Sequence, residues 1–268
     1  MSEPAVLFHR IHGEGEPVLL LNGIAMSAAS WEIVAAPLKA RYRVLQCDFR
    51  GQLMMPVAPP AEVICHADDV VATLDYLDLP SVHVIGTSFG GVVGTLVAAR
   101  HPDRVRSLIT IASADGFDEQ MADEVDRWRV ACRRSLDCGD RGLLSDALEP
   151  VVYSPGYVAS HLDERAARRT QIAALPDVWF EGLIGLLESA HSLRLREELR
   201  RIRCPAMVVA AELDGFVPLA RARGLAQAIV GARFEIIEGA GHAVVVEKPD
   251  RVAELCLDFL DAQTPSPA

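Results

Sequence analysis

The sequence lacks an excess of positive charge, and this absence narrows the set of possible partners. Its 26 lysine and arginine residues are outnumbered by 37 aspartate and glutamate residues, so the formal net charge is −11. Phosphate binding needs a basic surface, and we therefore predict no nucleic-acid partner. The charge does not identify a substrate, because net charge affects solubility more than it affects chemistry.

An export signal and long apolar segments are also missing. The first residues, Met1-Ser-Glu-Pro-Ala5, have neither the basic start nor the apolar core of a secretory signal. The longest apolar runs, such as residues 18–21 and 92–99, are far too short to span a bilayer. We therefore expect a cytoplasmic protein without membrane insertion, and the sequence does not indicate its oligomeric state.

Motifs for metal and phosphate binding are absent as well. The six cysteines occur without a Cys-x-x-Cys pair, and without an export signal we expect reduced thiols rather than disulfides. Cys132 and Cys138 have no histidine close by in the sequence, so we predict no metal site. The chain has neither a P-loop motif nor a Gly-x-Gly-x-x-Gly motif after its first strand, which argues against phosphate binding.

Short β-branched runs alternate with amphipathic segments in the first 115 residues and again after residue 200. This alternation indicates parallel βαβ units, and the predicted fold class is α/β with a mostly parallel, doubly wound sheet. The predicted strands are residues 18–21, 42–47, 82–85, 105–111, 206–210 and 233–237. The predicted helices of this part are residues 29–39, 66–77, 89–100, 219–229 and 248–262.

The middle of the chain has a helical pattern and no convincing strand. We predict a core of residues 1–115 and 201–268, interrupted by an inserted helical cap, or lid, of residues 116–200. An insertion after the carboxyl end of a strand lies over the crevice where open α/β sheets bind ligands. A helical layer that only stabilises the core is the alternative.

The strongest local motif is Gly86-Thr-Ser-Phe-Gly90, which follows a predicted strand and precedes a predicted helix. Gly-x-Ser-x-Gly in this context is typical of a nucleophile elbow. The small glycines allow the strand and the helix to approach each other around the serine. We predict Ser88 as the nucleophile, and a glycine-rich turn with a packing role only is the alternative.

A serine nucleophile needs a neighbouring base, and His242 has the best context of the eight histidines. It ends Glu238-Gly-Ala-Gly-His242, directly after the last predicted strand, so we predict it as the general base. His12 is expected in a polar turn and His83 inside a strand. The others with a clear context are expected on the surface or at helix caps: His66, His101, His161 and His191.

The third member should be an acid that orients the imidazole. Asp214 follows the predicted strand 206–210, and it gives the chain order serine, acid, histidine that is typical of this kind of site. Asp115 follows the neighbouring strand 105–111 and is the competing candidate. Glu212, two residues from Asp214, is interpreted as a solvated loop residue or a second competitor.

Acyl transfer also needs backbone N–H groups that stabilise the oxyanion. We predict the N–H of Phe89, directly after the nucleophile, and that of Ile24 in the loop Asn22-Gly-Ile-Ala-Met-Ser27. An ordinary Asn-Gly turn is the alternative for this loop. Four aromatic residues could line an apolar pocket or could pack in the core: Trp128, Trp179, Phe180 and Phe216.

These residues resemble the α/β-hydrolase family over essentially the whole chain except the helical insertion. The chain looks most like small bacterial hydrolases of the 3-oxoadipate enol-lactonase and carboxylesterase group. The resemblance implies a helical cap, no cofactor and a covalent acyl-enzyme. Its landmarks are Asn22-Gly23, Asp48-Phe-Arg-Gly51, Gly86-Thr-Ser-Phe-Gly-Gly91, His101-Pro-Asp-Arg-Val105, Asp214 with Pro218, and Gly241-His242.

Two loops depart from the family pattern. Asn22-Gly23 stands where the family usually has His-Gly, and Gln52-Leu-Met-Met-Pro56 lacks the second glycine and the serine of Asp-x-Arg-Gly-x-Gly-x-Ser. We expect a serine hydrolase that cleaves a small carboxylic ester or a lactone, including an enol-lactone. The alternatives are a thioester, amide or C–C bond hydrolase with the same triad, or a hydrolase-like receptor for a small molecule with slow turnover.

Overall fold

The computed structural model describes residues 3–191 and 193–263. Within these ranges the chain forms a seven-stranded sheet in the order β1-β3-β2-β4-β5-β6-β7. β1 is antiparallel to β3 and the other pairs are parallel, so the predicted α/β fold class is confirmed. The strands are β1 Phe8–His12, β2 Pro17–Leu21, β3 Arg43–Asp48, β4 Val82–Thr87, β5 Val105–Ile111, β6 Ala206–Ala211 and β7 Arg233–Ile237.

The sequence analysis did not predict β1. β1 contains His12, which the prediction placed in a polar turn. β1 is a half-exposed edge strand that pairs with one neighbour only. It therefore lacks the continuous apolar run that marks the buried parallel strands.

Helices cover both faces of the sheet. α1 and α11 pack in one apolar core, and α2, α3 and α9 belong to the core on the opposite face. The bounds are α1 Glu32–Lys39, α2 Val63–Tyr76, α3 Phe89–Arg100, α9 Leu219–Ala228, α10 Val244–Glu247 and α11 Pro249–Asp261. The carboxyl ends of the parallel strands meet at one edge of this layered core, where loops can bring distant residues together.

In the described residues between β5 and β6, the chain forms five α-helices. α4 packs against α5 and α8, and α5 packs against α7. An isolated β-bridge between Gly116 and Arg194 joins the two ends of this insertion. The helices are α4 Glu119–Cys138, α5 Gly142–Val152, α6 Pro155–Ser160, α7 Leu162–Ala173 and α8 Asp177–Ala190.

His66 is buried inside α2, so its predicted place at the surface is wrong. Its ring packs edge-on against the rings of Phe49 and Phe89, at centroid distances of 5.6 and 5.1 Å. Burial, with a smaller effect from the charge of Arg50, lowers the pKa of His66 to about 3. Helical periodicity did not show that this side of α2 is buried against those two rings.

In the described ranges, all six cysteines are free thiols. Burial raises the pKa of Cys47 and Cys256 to about 12, so both thiols are protonated at neutral pH. No helix of the described part is long and apolar enough to cross a membrane.

Candidate active site

Ser88 lies at the sharp turn between β4 and α3. Its backbone has φ 50° and ψ −117°, a strained conformation that is concentrated at functional sites. A Cβ at Gly86 would overlap the carbonyl of Gly90, and a Cβ at Gly90 would overlap the carbonyl of Leu21. Glycine is therefore needed at both ends of the motif, because β2, β4 and α3 approach each other closely here.

His242 lies within hydrogen-bond distance of Ser88 and of Asp214. The Nε2 atom of His242 is 2.9 Å from the Oγ atom of Ser88. On the other side of the ring, Nδ1 is 2.9 and 3.1 Å from the two carboxylate oxygens of Asp214. The structure thus brings together all three residues that the sequence analysis selected, although 154 residues separate Ser88 from His242.

The carboxylate of Asp214 is itself held by the backbone. Its Oδ1 atom accepts hydrogen bonds from the N–H groups of Phe216 at 2.9 Å and Val217 at 2.7 Å. The side chain is 2% exposed, and this shielding strengthens its interaction with the imidazole. A carboxylate fixed in this way can hold one imidazole tautomer and orient the ring.

The two competing acids have other partners. Asp115 pairs with Arg221 at 3.0 Å and with Arg196 at 3.4 Å. Glu212 accepts a hydrogen bond from the N–H of Gly239 at 2.8 Å, which supports the loop that precedes His242. The geometry therefore favours Asp214 over both competitors as the partner of the histidine.

The predicted oxyanion donors border the same cavity as Ser88. Ile24 and Phe89 both line it, and a Cβ at Gly23 would lie 3.7 Å from the Cβ of Ser88. Among the described residues, neither the N–H of Ile24 nor that of Phe89 donates to a protein acceptor. Two free backbone donors beside a nucleophile are the arrangement that stabilises an oxyanion.

Sequence reasoning missed how the two unusual loops fit together. The Nδ2 atom of Asn22 donates to the Oε1 atom of Gln52 at 2.9 Å and to Oδ1 of Asp48 at 3.0 Å. The Nε2 atom of Gln52 donates to the carbonyls of Gly23 at 2.8 Å and Ile24 at 3.3 Å. Since Asn22 and Gln52 are both fully buried, these bonds hold the loop that carries the Ile24 N–H.

Glu247 was also missed. Its carboxylate accepts hydrogen bonds from the N–H of Gly241 at 3.1 Å and from the N–H and hydroxyl of Ser154 at 2.8 and 2.6 Å. Ser154 precedes α6 in the insertion, and Gly241 precedes His242. Glu247 therefore ties the histidine loop of the core to the insertion, and only the tertiary contact reveals this role.

A cavity of about 200 Å³ opens beside Ser88 and His242, between the core and the insertion. Its walls are predominantly apolar and include Trp128 and Phe216. The Phe216 ring packs edge-on against the His242 ring at 5.2 Å. Trp179 and Phe180 instead pack edge-to-face in the core at 5.1 Å. The aromatic residues named from the sequence therefore divide between the two predicted alternatives.

The fold and this arrangement of residues define the class of protein. The family model of the α/β hydrolase fold matches residues 16–249, and the chain belongs to this family. It is therefore a hydrolase, as the sequence landmarks predicted. In the described ranges, no group of three histidine, cysteine or acidic side chains could hold a metal ion.

Individual relatives show how broad the likeness is. The chain is 30% identical over 269 residues to the putative carbamate hydrolase RutD of Azorhizobium caulinodans, and 95% of each chain is covered. It is 29% identical over 262 residues to the pimeloyl-acyl-carrier-protein methyl ester esterase of Aeromonas hydrophila, covering 92% of this chain and 96% of the relative. The enol-lactonase structure from Burkholderia xenovorans LB400 matches with a TM-score of 0.83 and 27% identity, covering 95% and 96% of the two chains.

Proposed function

We propose that this hydrolase cleaves a small carboxylic ester or a lactone in two steps through Ser88, His242 and Asp214. The observation that carries the proposal is the unbroken hydrogen-bonded chain from Asp214 through His242 to Ser88 at an apolar cavity. A serine hydroxyl is a weak nucleophile alone, and an adjacent, oriented imidazole is what activates it.

In the first step, His242 takes the proton of the Ser88 hydroxyl as the oxygen attacks the substrate carbonyl. The negative charge that develops on the carbonyl oxygen is stabilised by the N–H groups of Ile24 and Phe89. His242 then donates the proton to the leaving alkoxide, and an acyl-enzyme remains. Asp214 stays ionised throughout and stabilises the imidazolium.

In the second step, His242 removes a proton from water, which attacks the acyl-enzyme carbonyl. The same two N–H groups stabilise the second oxyanion, and Ser88 regains its proton when the acid leaves. All of the protein groups named in these two steps belong to this chain. For a lactone, the alkoxide released in the first step is part of the acyl group, so a single product leaves.

The insertion of residues 116–200 is proposed to act as the lid of this site. Trp128, Leu148 and Ile172 line the cavity from α4, α5 and α7, opposite the reacting groups. Apolar walls that exclude water strengthen the electrostatic stabilisation of the oxyanion. The names of the relatives support esters and lactones as substrates, and RutD adds carbamates to the compounds to be tested.

A labelling experiment with a turnover assay tests the proposal. We expect a fluorophosphonate probe to label the wild-type protein and p-nitrophenyl butyrate to be hydrolysed. Ser88→Ala should abolish labelling and lower kcat by about 10⁴-fold or more. Labelling that persists in Ser88→Ala would contradict the nucleophile assignment.

Two further outcomes separate the alternative functions. Labelling of Ser88 without turnover of any ester, lactone or carbamate would favour a receptor. If thioesters, amides or compounds with a cleavable C–C bond are turned over and esters are not, the triad assignment stands and the proposed bond type is wrong. Ser160→Ala is the matched control, because the Ser160 hydroxyl is exposed and donates to the carbonyl of Gly156 in its own helix at 2.7 Å.

A further inference from the structure

The peptide group that joins Ser88 to Phe89 has two parts to play in the proposed reaction. Its N–H is one of the two proposed oxyanion donors, and its carbonyl belongs to the nucleophile residue. The hydroxyl of Ser113 donates a hydrogen bond to this carbonyl oxygen at 3.0 Å. A side chain from the loop after β5 therefore contacts the same peptide group that carries the Phe89 N–H.

The end of β5 also holds the other side of the nucleophile residue. The N–H of Ser88 donates to the carbonyl of Ile111 at 2.8 Å. Ser88 has a φ of 50°, a backbone conformation that is costly for a residue with a side chain and persists only when the surrounding structure fixes it. Residues 111 and 113 thus bond the N–H and the carbonyl of Ser88, and both bonds fix the strained turn.

The side chain of Ser113 is closely enclosed where it makes this bond. The residue is 2% exposed, and a Cβ at Gly91 would lie 2.8 Å from its Oγ atom and 2.9 Å from its Cβ. Any larger residue at position 91 would therefore displace the Ser113 side chain. The third glycine of Gly86-Thr-Ser-Phe-Gly-Gly91 leaves the space from which the hydroxyl reaches the Ser88 carbonyl.

A donor on a peptide carbonyl changes the N–H at the other end of the same peptide. It polarises the amide, and hydrogen bonds that are linked in this way strengthen one another. The N–H groups of Gly91 and Val92 also bond to the Ser88 carbonyl, at 3.0 and 3.2 Å, but both belong to α3. Ser113 instead ties the peptide to the sheet, and this fixes the direction in which the Phe89 N–H points.

We propose that Ser113 is a positioning residue for the oxyanion: its hydroxyl orients and polarises the Ser88–Phe89 peptide, whose N–H stabilises the negative oxygen. This role rests on the proposed function, in which an oxyanion forms in each of the two steps. Ser113 acts through the peptide rather than on the substrate. Its effect is largest when the substrate oxygen carries a negative charge, so losing the hydroxyl should slow the reaction and leave binding of the neutral ester nearly unchanged.

Two pairs of proteins isolate the hydroxyl in the hydrolysis of p-nitrophenyl butyrate. Wild type and Ser113→Ala form one pair. Ser113→Thr and Ser113→Val form the other, because threonine and valine have nearly the same shape and only threonine has a hydroxyl. We expect the member without a hydroxyl to have a kcat about tenfold lower than its partner, with KM nearly unchanged.

An inhibitor pair provides a measurement that a purely structural role would not change. In trifluoromethyl propyl ketone, the Ser88 oxygen bonds to the carbonyl carbon, its proton passes to His242, and the carbonyl oxygen becomes an anion. Methyl propyl ketone is far less electrophilic and measures binding of the neutral carbonyl. We expect Ser113→Ala to raise the Ki of the trifluoromethyl ketone about tenfold and to leave that of the methyl ketone unchanged.

Thr95→Val is the matched control. The hydroxyl of Thr95 is also buried and also donates to a backbone carbonyl beside the turn, that of Gly91 at 2.7 Å, but it does not bond to the Ser88–Phe89 peptide. The control should leave the ratio of the two Ki values unchanged. This ratio does not depend on how much of a variant folds, and Ser113→Ala alone decides the outcome if the larger side chains do not fit beside Gly91.

The outcomes distinguish this inference from the proposed function. An unchanged kcat in Ser113→Ala, a loss confined to KM, or equal weakening of both ketones would overturn the role of Ser113 and leave the ester hydrolase in place. Equal kcat values for Ser113→Thr and Ser113→Val would also contradict it. If the wild type hydrolyses no ester in a Ser88-dependent way, the proposed function fails, and the role of Ser113 fails with it.

Discussion

The cavity has one wall from the α/β core and one from the insertion, and the two walls differ in the kind of side chain they provide. The core wall holds the hydrogen-bonded groups, Ser88, His242 and Asp214, and its loops are fixed by backbone and buried amide bonds. The insertion wall is built mainly from apolar side chains of α4, α5 and α7, with the charged residues Glu149 and Arg168 also lining the cavity. The contrast teaches that, in the proposed function, reaction and selectivity reside in separate parts of the chain.

Hydrogen bonds next to His242 cross this division. Glu247 bonds the backbone before His242 to Ser154 of the insertion, and the N–H of Ala243 donates to the carbonyl of Val152 at 2.8 Å. The base of the insertion is therefore fixed relative to the histidine loop, and in the proposed function we expect the side chains farther along its helices to distinguish between substrates.

The largest effect is expected from the acid of the core wall. Asp214→Asn should lower kcat for p-nitrophenyl butyrate by about 10⁴-fold, because the amide no longer stabilises the imidazolium and favours the wrong tautomer. Asp115→Asn is the matched variant at the border of the insertion, and we expect its kcat to stay close to that of the wild type. Steady-state kinetics of both variants measure this. An equal loss of kcat in both variants would contradict the assignment of Asp214, rather than Asp115, as the acid that orients His242.

A smaller effect is expected from Gln52, which touches no reacting group. Gln52→Glu replaces the donor to the carbonyls of Gly23 and Ile24 with an acceptor, so the loop with the Ile24 N–H should shift. We expect kcat to fall about 10- to 100-fold with KM nearly unchanged, since a small misplacement of a stabilising group is costly. The exposed neighbour Met54 provides the control Met54→Ala. A change confined to KM would place Gln52 with the substrate-binding wall instead.

The last effect concerns stability rather than activity, on the core side, where the His66 ring packs against Phe89. Its pKa is about 3 in the folded chain against an ordinary 6.5, so between these pH values the unfolded chain binds one more proton. The contribution is complete above pH 6.5 and decreases as the pH falls, by up to about 1.4 kcal/mol per pH unit. Urea unfolding at several pH values should give a steeper decline for the wild type than for His66→Phe. Parallel declines would contradict this.

Much of the core was predictable because its signals are local. Every predicted strand has its counterpart in the sheet, and α3 spans the residues predicted for it, 89–100. β1 was missed because an edge strand is partly exposed to solvent and therefore lacks a continuous run of apolar residues. The burial of His66 was missed for a related reason, since helical spacing indicated a helix but did not show that this side of it is buried.

For Ser88, His242 and Asp214, the sequence likewise revealed only what local patterns encode. The Gly-x-Ser-x-Gly motif identified Ser88, and the glycine-rich loop identified His242, because in each case the neighbouring residues in the sequence were informative. The choice of Asp214 over Asp115 depended on which strand end faces the imidazole, and both candidates follow strands. The partnership of Asn22 with Gln52 joins two loops that looked like separate departures, and they lie 30 positions apart.

The sequence by itself determined the α/β class, the elbow around Ser88 and the order of serine, acid and histidine. These follow from side-chain periodicity and from the steric need for glycine at two positions, which act within a few residues. Only the tertiary structure decided that Asp214 faces His242, that Gln52 supports the loop of Ile24, and that Trp128 rather than Trp179 lines the cavity. Those outcomes depend on packing between residues far apart in the chain, and no local pattern encodes that packing.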